Sequence, residues 1–335
     1  MPQLNGAFAA ALVSGDLPSA SNLADQILDL ARRKEDPVSL GFAHMDQVLV
    51  RYYRGDLTGA EEHFLAGTPF FEERSFRRFP AGFVSAFNHA SLNAWTIGRA
   101  DLAEQRINDA LATAHANKSP YDLAYAFFVA GWLYCLLGQP ERSEPLAAQA
   151  VALCDEHGFP HFGGLARVAL GHATARLGRA QDGVSIIRTG LQRLAEIGSR
   201  LGTTHYLTLL ADAQVVAENF AEALYTIEEC LQTNSAELTY RPETLRLRGE
   251  LRLRNGQLDI AQADFTESIR LAQTIGAKAW QLRSTTSLAR LLLSRGDTAH
   301  ALDRLAPLCA SFTVGLTTKD LAEANGLLSR LTAQA

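Results

Sequence analysis

The chain has 335 residues, of which 47% are hydrophobic and 20% charged, and its formal net charge is −5 at pH 7. The acidic balance of 36 to 31, with four lysines among the basic residues, disfavours a nucleic-acid-binding surface. No apolar run approaches the length of about 18 residues that a membrane span needs. Four scattered cysteines without CxxC spacing are typical of reduced thiols, so we expect a cytoplasmic protein without membrane or nucleic-acid partners.

Glycine recurs along the chain, and a small residue follows five positions after each of these glycines. The intervals are 40, 43, 40, 40, 40, 38 and 40 residues when Glu218 is taken as the member of the series that lacks glycine. This unbroken period predicts one elongated repeat array rather than several independent globules. The register glycines are Gly15, Gly55, Gly98, Gly138, Gly178, Gly256 and Gly296.

Helix start and stop signals between the glycines predict two helices in each repeat, here called helix A and helix B. Pro120 is suited to a first helical turn, Gly138 ends that helix, and Pro140 begins the next. Apolar residues recur at three- and four-residue steps between these points, as in helices with one buried face. The same signals recur in other repeats. Prolines precede helix A at Pro37, Pro80 and Pro160, and glycines follow helix B at Gly158, Gly198 and Gly276.

Small residues occupy the position seven before the register, and we expect them to let helices A and B approach closely. They are Ser91, Gly131, Gly171, Ala211, Gly249 and Ala289.

The last segment differs from the repeats. Thr317 and Asp320 are typical of a helix start, and an apolar face beginning at Leu321 predicts a final helix that caps repeat eight. Its outer face, with Lys319, Glu323 and Arg330, is expected to meet water. We therefore divide the chain into a repeat array over residues 1–312 and a capping helix over residues 313–335.

The small residue, glycine and alanine of each unit resemble the tetratricopeptide repeat. The resemblance covers about residues 3–312 and implies an all-α, right-handed superhelical solenoid of about eight helix-turn-helix units. The period of about 40 is longer than the 34 of that family, and the usual proline at the repeat end is missing, so the family's superhelical pitch cannot be assumed.

The C-terminal repeats, from Trp280 to Ala324, resemble those of large bacterial signalling proteins. In those proteins a nucleotidyl cyclase or DNA-binding domain and a STAND-type ATPase precede the repeat array. Neither a GxxxxGK[ST] loop nor a GxGxxG motif occurs here. The chain is either a stand-alone relative or a piece of a longer protein, and both alternatives stay open.

In tetratricopeptide arrays helix A lines a concave groove, and the resemblance transfers that frame to this chain. One half of the groove is then aromatic and the other rich in arginine, which suits a ligand with an apolar body and an anionic end. Packing between repeats and ordinary surface ion pairs are the competing explanations. The predicted groove residues are Tyr52, Asn88, Trp95, Tyr125, Phe128, Trp132, His172, His205, Asp212, Arg246, Glu250, Arg254, Arg283 and Arg290.

No catalytic or metal site is predicted. His205 and Asp212 lie two helical turns apart, about 10 Å, which is too far to share one ion. Cys135 and His172 fall in similar rows of neighbouring helices, but rows about 10 Å apart and the lack of an oxyanion loop disfavour an enzyme.

We expect an interaction or sensory scaffold in bacterial signalling or regulation, without a cofactor, that binds a peptide or protein segment in the groove. The alternative is a small-metabolite sensor of an ATPase-linked regulator. An open groove would favour the peptide and an enclosed pocket the metabolite. The sequence does not indicate the oligomeric state.

Overall fold

The computed structural model describes residues 2–77, 79, 82–313, 315 and 317–334, and these residues form helices without a strand. Their bounds are α1 Pro2–Val13, α2 Leu17–Lys34, α3 Pro37–Arg54, α4 Leu57–Phe71, α5 Arg74–Arg77, α6 Gly82–Thr96, α7 Ala100–Asn117, α8 Pro120–Leu136, α9 Pro140–His157, α10 Pro160–Arg176, α11 Ala180–Glu196, α12 Thr203–Val216, α13 Phe220–Gln232, α14 Arg241–Arg254, α15 Leu258–Thr274, α16 Lys278–Ser294, α17 Thr298–Ala310 and α18 Lys319–Gln334. The all-α solenoid predicted from the sequence is confirmed.

The described residues form eight antiparallel helix pairs in succession, with α5 inserted between α4 and α6. Helix A of each pair is α1, α3, α6, α8, α10, α12, α14 or α16, and helix B is the next long helix. The predicted prolines at Pro37, Pro120 and Pro160 begin helices, whereas Pro80 lies outside the described residues.

The turn between helices A and B requires a left-handed backbone at its register residue. All seven register glycines have φ between 69° and 90°. Glu218 takes the same conformation, with φ of 60°, although a side chain makes that region unfavourable by about 1–2 kcal/mol. The left-handed backbone at Glu218 is therefore imposed by the helices that flank this turn rather than favoured by the residue itself.

The small residues in helix A lie against helix B, as predicted. A Cβ atom on Gly131 would sit 3.2 Å from the Cβ atom of Ala147, which is tight but without backbone overlap. A Cβ atom on Gly171 would sit 2.5 Å from the carbonyl oxygen of Gly183. The backbones of α10 and α11 therefore approach more closely than those of α8 and α9.

The longest register interval, from Gly55 to Gly98, contains the extra helix α5. Phe76 of α5 is fully buried and packs over Gly41 of α3. The insertion thus adds a local aromatic cluster to the array and leaves the pairing of α6 with α7 intact.

The superhelix winds so tightly that its successive turns touch. The Val13 carbonyl accepts a backbone hydrogen bond from Arg200 (2.8 Å), and the Tyr53 carbonyl accepts one from Leu238 (3.1 Å). In both cases the C-terminal end of a helix A meets the loop before another helix A about 185 residues later. One superhelical turn therefore takes between four and five repeats.

The same stacking continues at the C-terminal end. The Gly315 backbone N–H donates to the Asp101 carboxylate (3.0 Å), and Lys319 at the start of α18 lies against Gly138. Apolar side chains of α18, including Leu321 and Leu327, join the core formed with α16 and α17. The division at residue 312 stays a prediction, and residues 314 and 316 beside it lie outside the described part.

None of the described helices combines the length and the apolar character that crossing a membrane requires.

Substituting Gly171 by alanine should destabilise the protein more than the same change at Gly131. At Gly171 the new methyl group meets backbone and must displace it, which costs about 1–3 kcal/mol, whereas at Gly131 the better helix propensity of alanine offsets a milder contact. Chemical denaturation would measure both variants. Equal stabilities would contradict the close approach of α10 and α11.

Replacing Glu218 by glycine should raise the free energy of unfolding by about 1 kcal/mol, because it relieves an unfavourable positive φ. Glu218→Ala is the matched control, since it removes the carboxylate and keeps the strained backbone. An equal gain in both variants would show that the side chain, rather than the backbone, is responsible.

Candidate functional site

The predicted aromatic residues fill the centre of the superhelix. Trp132 donates a hydrogen bond from Nε1 to the Tyr240 hydroxyl (2.8 Å), and Trp95 packs edge-on against Trp280 at 4.6 Å between ring centroids. Trp95 is 3% exposed and Trp132 is 1% exposed. These contacts join helices from opposite sides of the superhelix, so the two tryptophans are core residues and do not line an open groove.

His205 lies between two aromatic rings, stacked on Trp132 at 4.2 Å and against Tyr240 at 3.9 Å. Its ring nitrogens have no hydrogen-bond partner among the described residues. Burial therefore lowers the pKa of His205 well below its usual value, with a smaller contribution from the charge of His172. His205 is a neutral member of the aromatic core.

The remaining predicted aromatic residues lie in the same interior. The Tyr52 hydroxyl donates to that of Tyr240 (3.3 Å), and the Tyr125 ring stacks on Phe162 at 4.4 Å. Phe128 packs against Trp132 with 5.7 Å between ring centroids, and Asn88 on α6 is fully buried.

A cavity lies toward the C-terminal end of the superhelix, and we call it the C-terminal pocket. Its volume is about 630 Å³. Residues of seven helices line it, namely α8, α9, α10, α12, α14, α16 and α18, and Tyr240 and Trp280 lie in its wall. The charged and polar lining comprises Cys135, Glu141, His172, Arg176, Thr208, Asp212, Glu243, Arg246, Glu250, Arg283, Thr286, Ser287, Arg290, Lys319, Asp320 and Glu323.

Three of the four predicted arginines line this pocket, and each is already paired with carboxylates. Arg246 contacts Glu243 (2.8 Å) and Glu250 (3.4 Å). Arg290 pairs with Glu323 of α18. Arg254 lies outside the lining and packs over the Phe220 ring at 3.9 Å.

Arg283 is the most connected cation of the C-terminal pocket. It contacts Glu243 at 3.3 Å and Asp320 of α18 at 2.8 Å, and it also donates to the Leu136 carbonyl at 2.6 Å. Its guanidinium lies 5.2 Å from the centre of the Trp95 ring. Arg283 therefore links α14, α16 and α18 to the aromatic core and to the end of α8.

His172 and Asp212, predicted as separate groove residues, form a pair with 2.8 Å between Nε2 and Oδ2. Burial acts to lower the pKa of His172, but Cys135 and Asp212 outweigh it and raise that pKa to about 9. Burial acts to raise the pKa of Asp212, but His172 and Arg176 hold it well below its usual range. The pair is therefore charged at neutral pH.

Glu243 holds the two arginines on either side of it. Burial alone would raise the pKa of this carboxylate, but the charges of Arg246 and Arg283 lower it below its usual value. The C-terminal pocket is thus lined by charges of both signs that neutralise each other.

Sequence reasoning missed the contribution of the capping helix. Lys319 and Glu323, expected to meet water, line the C-terminal pocket together with Asp320. Their clustering within five residues on the side of α18 away from Leu321 and Ala324 is the signal that could have indicated them. No cluster of three or more metal-ligating side chains is found in the described ranges.

The fold is that of the tetratricopeptide-repeat proteins. A solved Rap protein complexed with Competence and Sporulation Factor is similar over 99% of this chain and 98% of its own, with a TM-score of 0.62 and 12% identity. NprR in complex with its cognate peptide NprX is similar over 86% of this chain and 82% of its own, with a TM-score of 0.58 and 13% identity.

Cut9 in its complex with Hcn1, from the APC/C, is also similar, over 93% of this chain and 59% of that chain, with a TM-score of 0.60 and 14% identity. The sequence itself matches no protein-family model and no curated protein. These similarities define the class of fold.

Glu243→Gln should destabilise the protein by about 2 kcal/mol or more, because it leaves two partly buried guanidinium groups without their shared counter-charge. Glu323→Gln is the matched control, since it removes a more exposed partner and should cost less than about 1 kcal/mol. Thermal and urea denaturation at low salt would measure both. If the two variants lose equal stability, the burial of Glu243 does not determine how much its ion pairs contribute to the free energy of unfolding.

Proposed function

We propose that the chain is a receptor for a short peptide, which it binds in the C-terminal pocket, and that it acts in signalling or regulation. The observation that carries the proposal is a pocket of about 630 Å³ whose walls hold buried charges of both signs. This volume lies within the range of about 300–1,000 Å³ that is usual for small-ligand sites. A segment of a few residues fits such a volume, whereas a folded partner does not.

The pairing of the pocket charges favours a ligand that carries both a positive and a negative group. An anion alone would compete with Asp320 for Arg283 and leave that carboxylate uncompensated, which is costly in a low-dielectric site. A peptide with free termini replaces both partners, because its carboxylate binds the arginine and its amino group binds the released carboxylate.

Relatives in fold agree with this proposal. NprR is solved in complex with its cognate peptide, and Rap with Competence and Sporulation Factor. At 12–13% identity these proteins support a peptide-sized ligand through fold alone.

The sequence predicts a groove lined by aromatic residues, but the C-terminal pocket is not lined by Trp95, Tyr125, Phe128 or Trp132. Trp95 and Trp132 are buried against Trp280 and Tyr240 of the opposite turn, and Tyr125 and Phe128 are buried against Phe162 of the adjacent helix A, so contact with a ligand requires that this packing opens. Their direct role in binding stays a prediction.

A small zwitterionic metabolite is the second candidate. The limited volume of the C-terminal pocket, about 630 Å³, favours it, since a long peptide would need an open path along the superhelix. Peptide and metabolite would use the same charged groups and differ in size.

Binding can be tested with an equimolar mixture of tetrapeptides that have free termini, a second mixture with acetylated and amidated termini, and a set of free amino acids. Native mass spectrometry would detect the complexes. We expect binding from the first mixture only, because capping removes both charges. Binding of the free amino acids alone would favour the metabolite, and binding of the capped mixture would contradict the role of the paired charges.

For a tetrapeptide that binds, Arg283→Gln should weaken binding at least about tenfold, since a charged hydrogen bond contributes about 1.5–3 kcal/mol. Arg254→Gln is the matched control because Arg254 lies outside the pocket lining. This variant should bind the tetrapeptide with unchanged affinity. Circular dichroism would establish that both variants fold. Equal affinities for the two variants would place the binding site elsewhere.

A further inference from the structure

Cys135 differs from the other three cysteines in its position. Cys154, Cys230 and Cys309 are buried, whereas Cys135 is partly exposed and lines the C-terminal pocket at the end of α8. Burial raises the pKa of the three other thiols above the usual value. A reagent that enters the pocket therefore meets one accessible thiol.

The second observation is the state of the His172 ring in the same pocket wall. His172 is 7% exposed, and its Nε2–H donates to Asp212, which holds the ring in one orientation. Its other nitrogen, Nδ1, has no hydrogen-bond partner among the residues that the structure describes. An unpartnered polar atom on a buried ring is costly unless a further group uses it.

The Cys135 thiol is held next to this ring. Its Sγ lies 3.0 Å from the Ser143 hydroxyl, and that hydroxyl donates its own proton to the Gly131 carbonyl (2.8 Å). The thiol hydrogen therefore has two acceptors within reach, the Ser143 hydroxyl oxygen and the Ala169 carbonyl oxygen at 3.7 Å. Ala169 lies one helical turn before His172 on α10, and Cys135 and His172 both line the C-terminal pocket, so the thiol and the ring are neighbours.

We propose that Cys135, His172 and Asp212 form an activated-thiol site that takes a low-molecular-weight disulfide and forms a mixed disulfide with it. This inference is independent of the proposed peptide function. The sequence indicates only a distant Cys/His pair at this place, because rows of neighbouring helices are about 10 Å apart.

The chemistry follows from the charges. Cys135 loses its proton to solvent, and the Nδ1–H group of the His172 imidazolium donates a hydrogen bond to the resulting thiolate. The thiolate attacks one sulfur of the disulfide, a new S–S bond forms, and the old S–S bond breaks with its electron pair on the leaving thiolate. The protein thiol is oxidised and the second half of the reagent is reduced to a free thiol.

The other charged groups of the pocket come from α9, α10, α14, α16 and α18. They are Glu141, Arg176, Glu243, Arg246, Glu250, Arg283, Arg290, Lys319, Asp320 and Glu323. Arg176 lies 3.6 Å from Asp212, so the carboxylate that orients His172 is itself held in its charged form.

Dithiodipyridine, a neutral aromatic disulfide, is a suitable probe because its reaction releases an absorbing thiopyridone. The 335-residue chain should react at Cys135 about tenfold faster at pH 7 than glutathione does, and Cys135→Ser should lose this fast phase. Mass spectrometry of the intact protein and its peptides identifies the modified residue. A rate no greater than that of glutathione would overturn the proposal.

The role of His172 is tested by the pH dependence of the rate. Between about pH 6 and 7.5 the rate of the unmodified chain should change by less than about twofold, because the imidazolium maintains the thiolate. In His172→Gln the rate should rise about tenfold per pH unit, as it does for an ordinary thiol below its pKa of about 8.5. His161→Gln, at a histidine that contacts Ser199 instead, is the matched control and should behave as the unmodified chain.

Asp212→Asn provides a second variant that acts through His172, and it should give an intermediate rate with a steeper pH dependence. A tenfold rise per pH unit in the unmodified chain itself would overturn the proposal, whether or not the variants fold. A slope that stays flat in folded His172→Gln would also overturn it.

Discussion

Contact between successive superhelical turns is the constraint on which the rest of the structure depends. Backbone hydrogen bonds such as that from Leu238 to Tyr53 bring the helix ends of one turn onto those of the next. Because the turns touch, the side chains of helix A face one another across a narrow centre instead of facing water. Trp132, His205 and Tyr240 fill that centre.

Closure of the centre also decides where a ligand can bind. Toward the C-terminal end of the array the packing gives way to the C-terminal pocket, which α18 lines with Lys319, Asp320 and Glu323. The charged residues there are partly buried, so each needs a partner to offset the loss of hydration. The network around Glu243 and Arg283 satisfies that need within the chain.

The sequence predicts local structure well, because the residues that begin and end a helix act on only a few neighbouring residues. Pro120 and Pro140 begin helices as expected, and Gly131 lies against Ala147. The tightness of the superhelix cannot be read in the same way, since it results from small angles summed over four or five repeats. A frame that places Trp95 on helix A therefore does not show that Trp280 covers it.

The same limit applies to the charged residues of the C-terminal pocket. Arg283 is recognisable as a residue that faces inward, because its position in helix A is a local property. Its partner Asp320 is 37 residues away and belongs to a helix outside the repeat pattern. The pairing of His172 with Asp212 joins equivalent points of adjacent helices A, but the repeat pattern carries no information about how far the two side chains reach.

Stacked turns also change how such an array must fold. In an open solenoid each unit contacts only its neighbours, so folding can begin anywhere and spread as local segments become ordered. Here the Thr239 hydroxyl donates to the Tyr52 carbonyl across 187 residues of intervening chain. Contacts of such long range raise the contact order and tie the first repeats to the last ones, which slows folding and makes the ends of the chain unfold together with its middle.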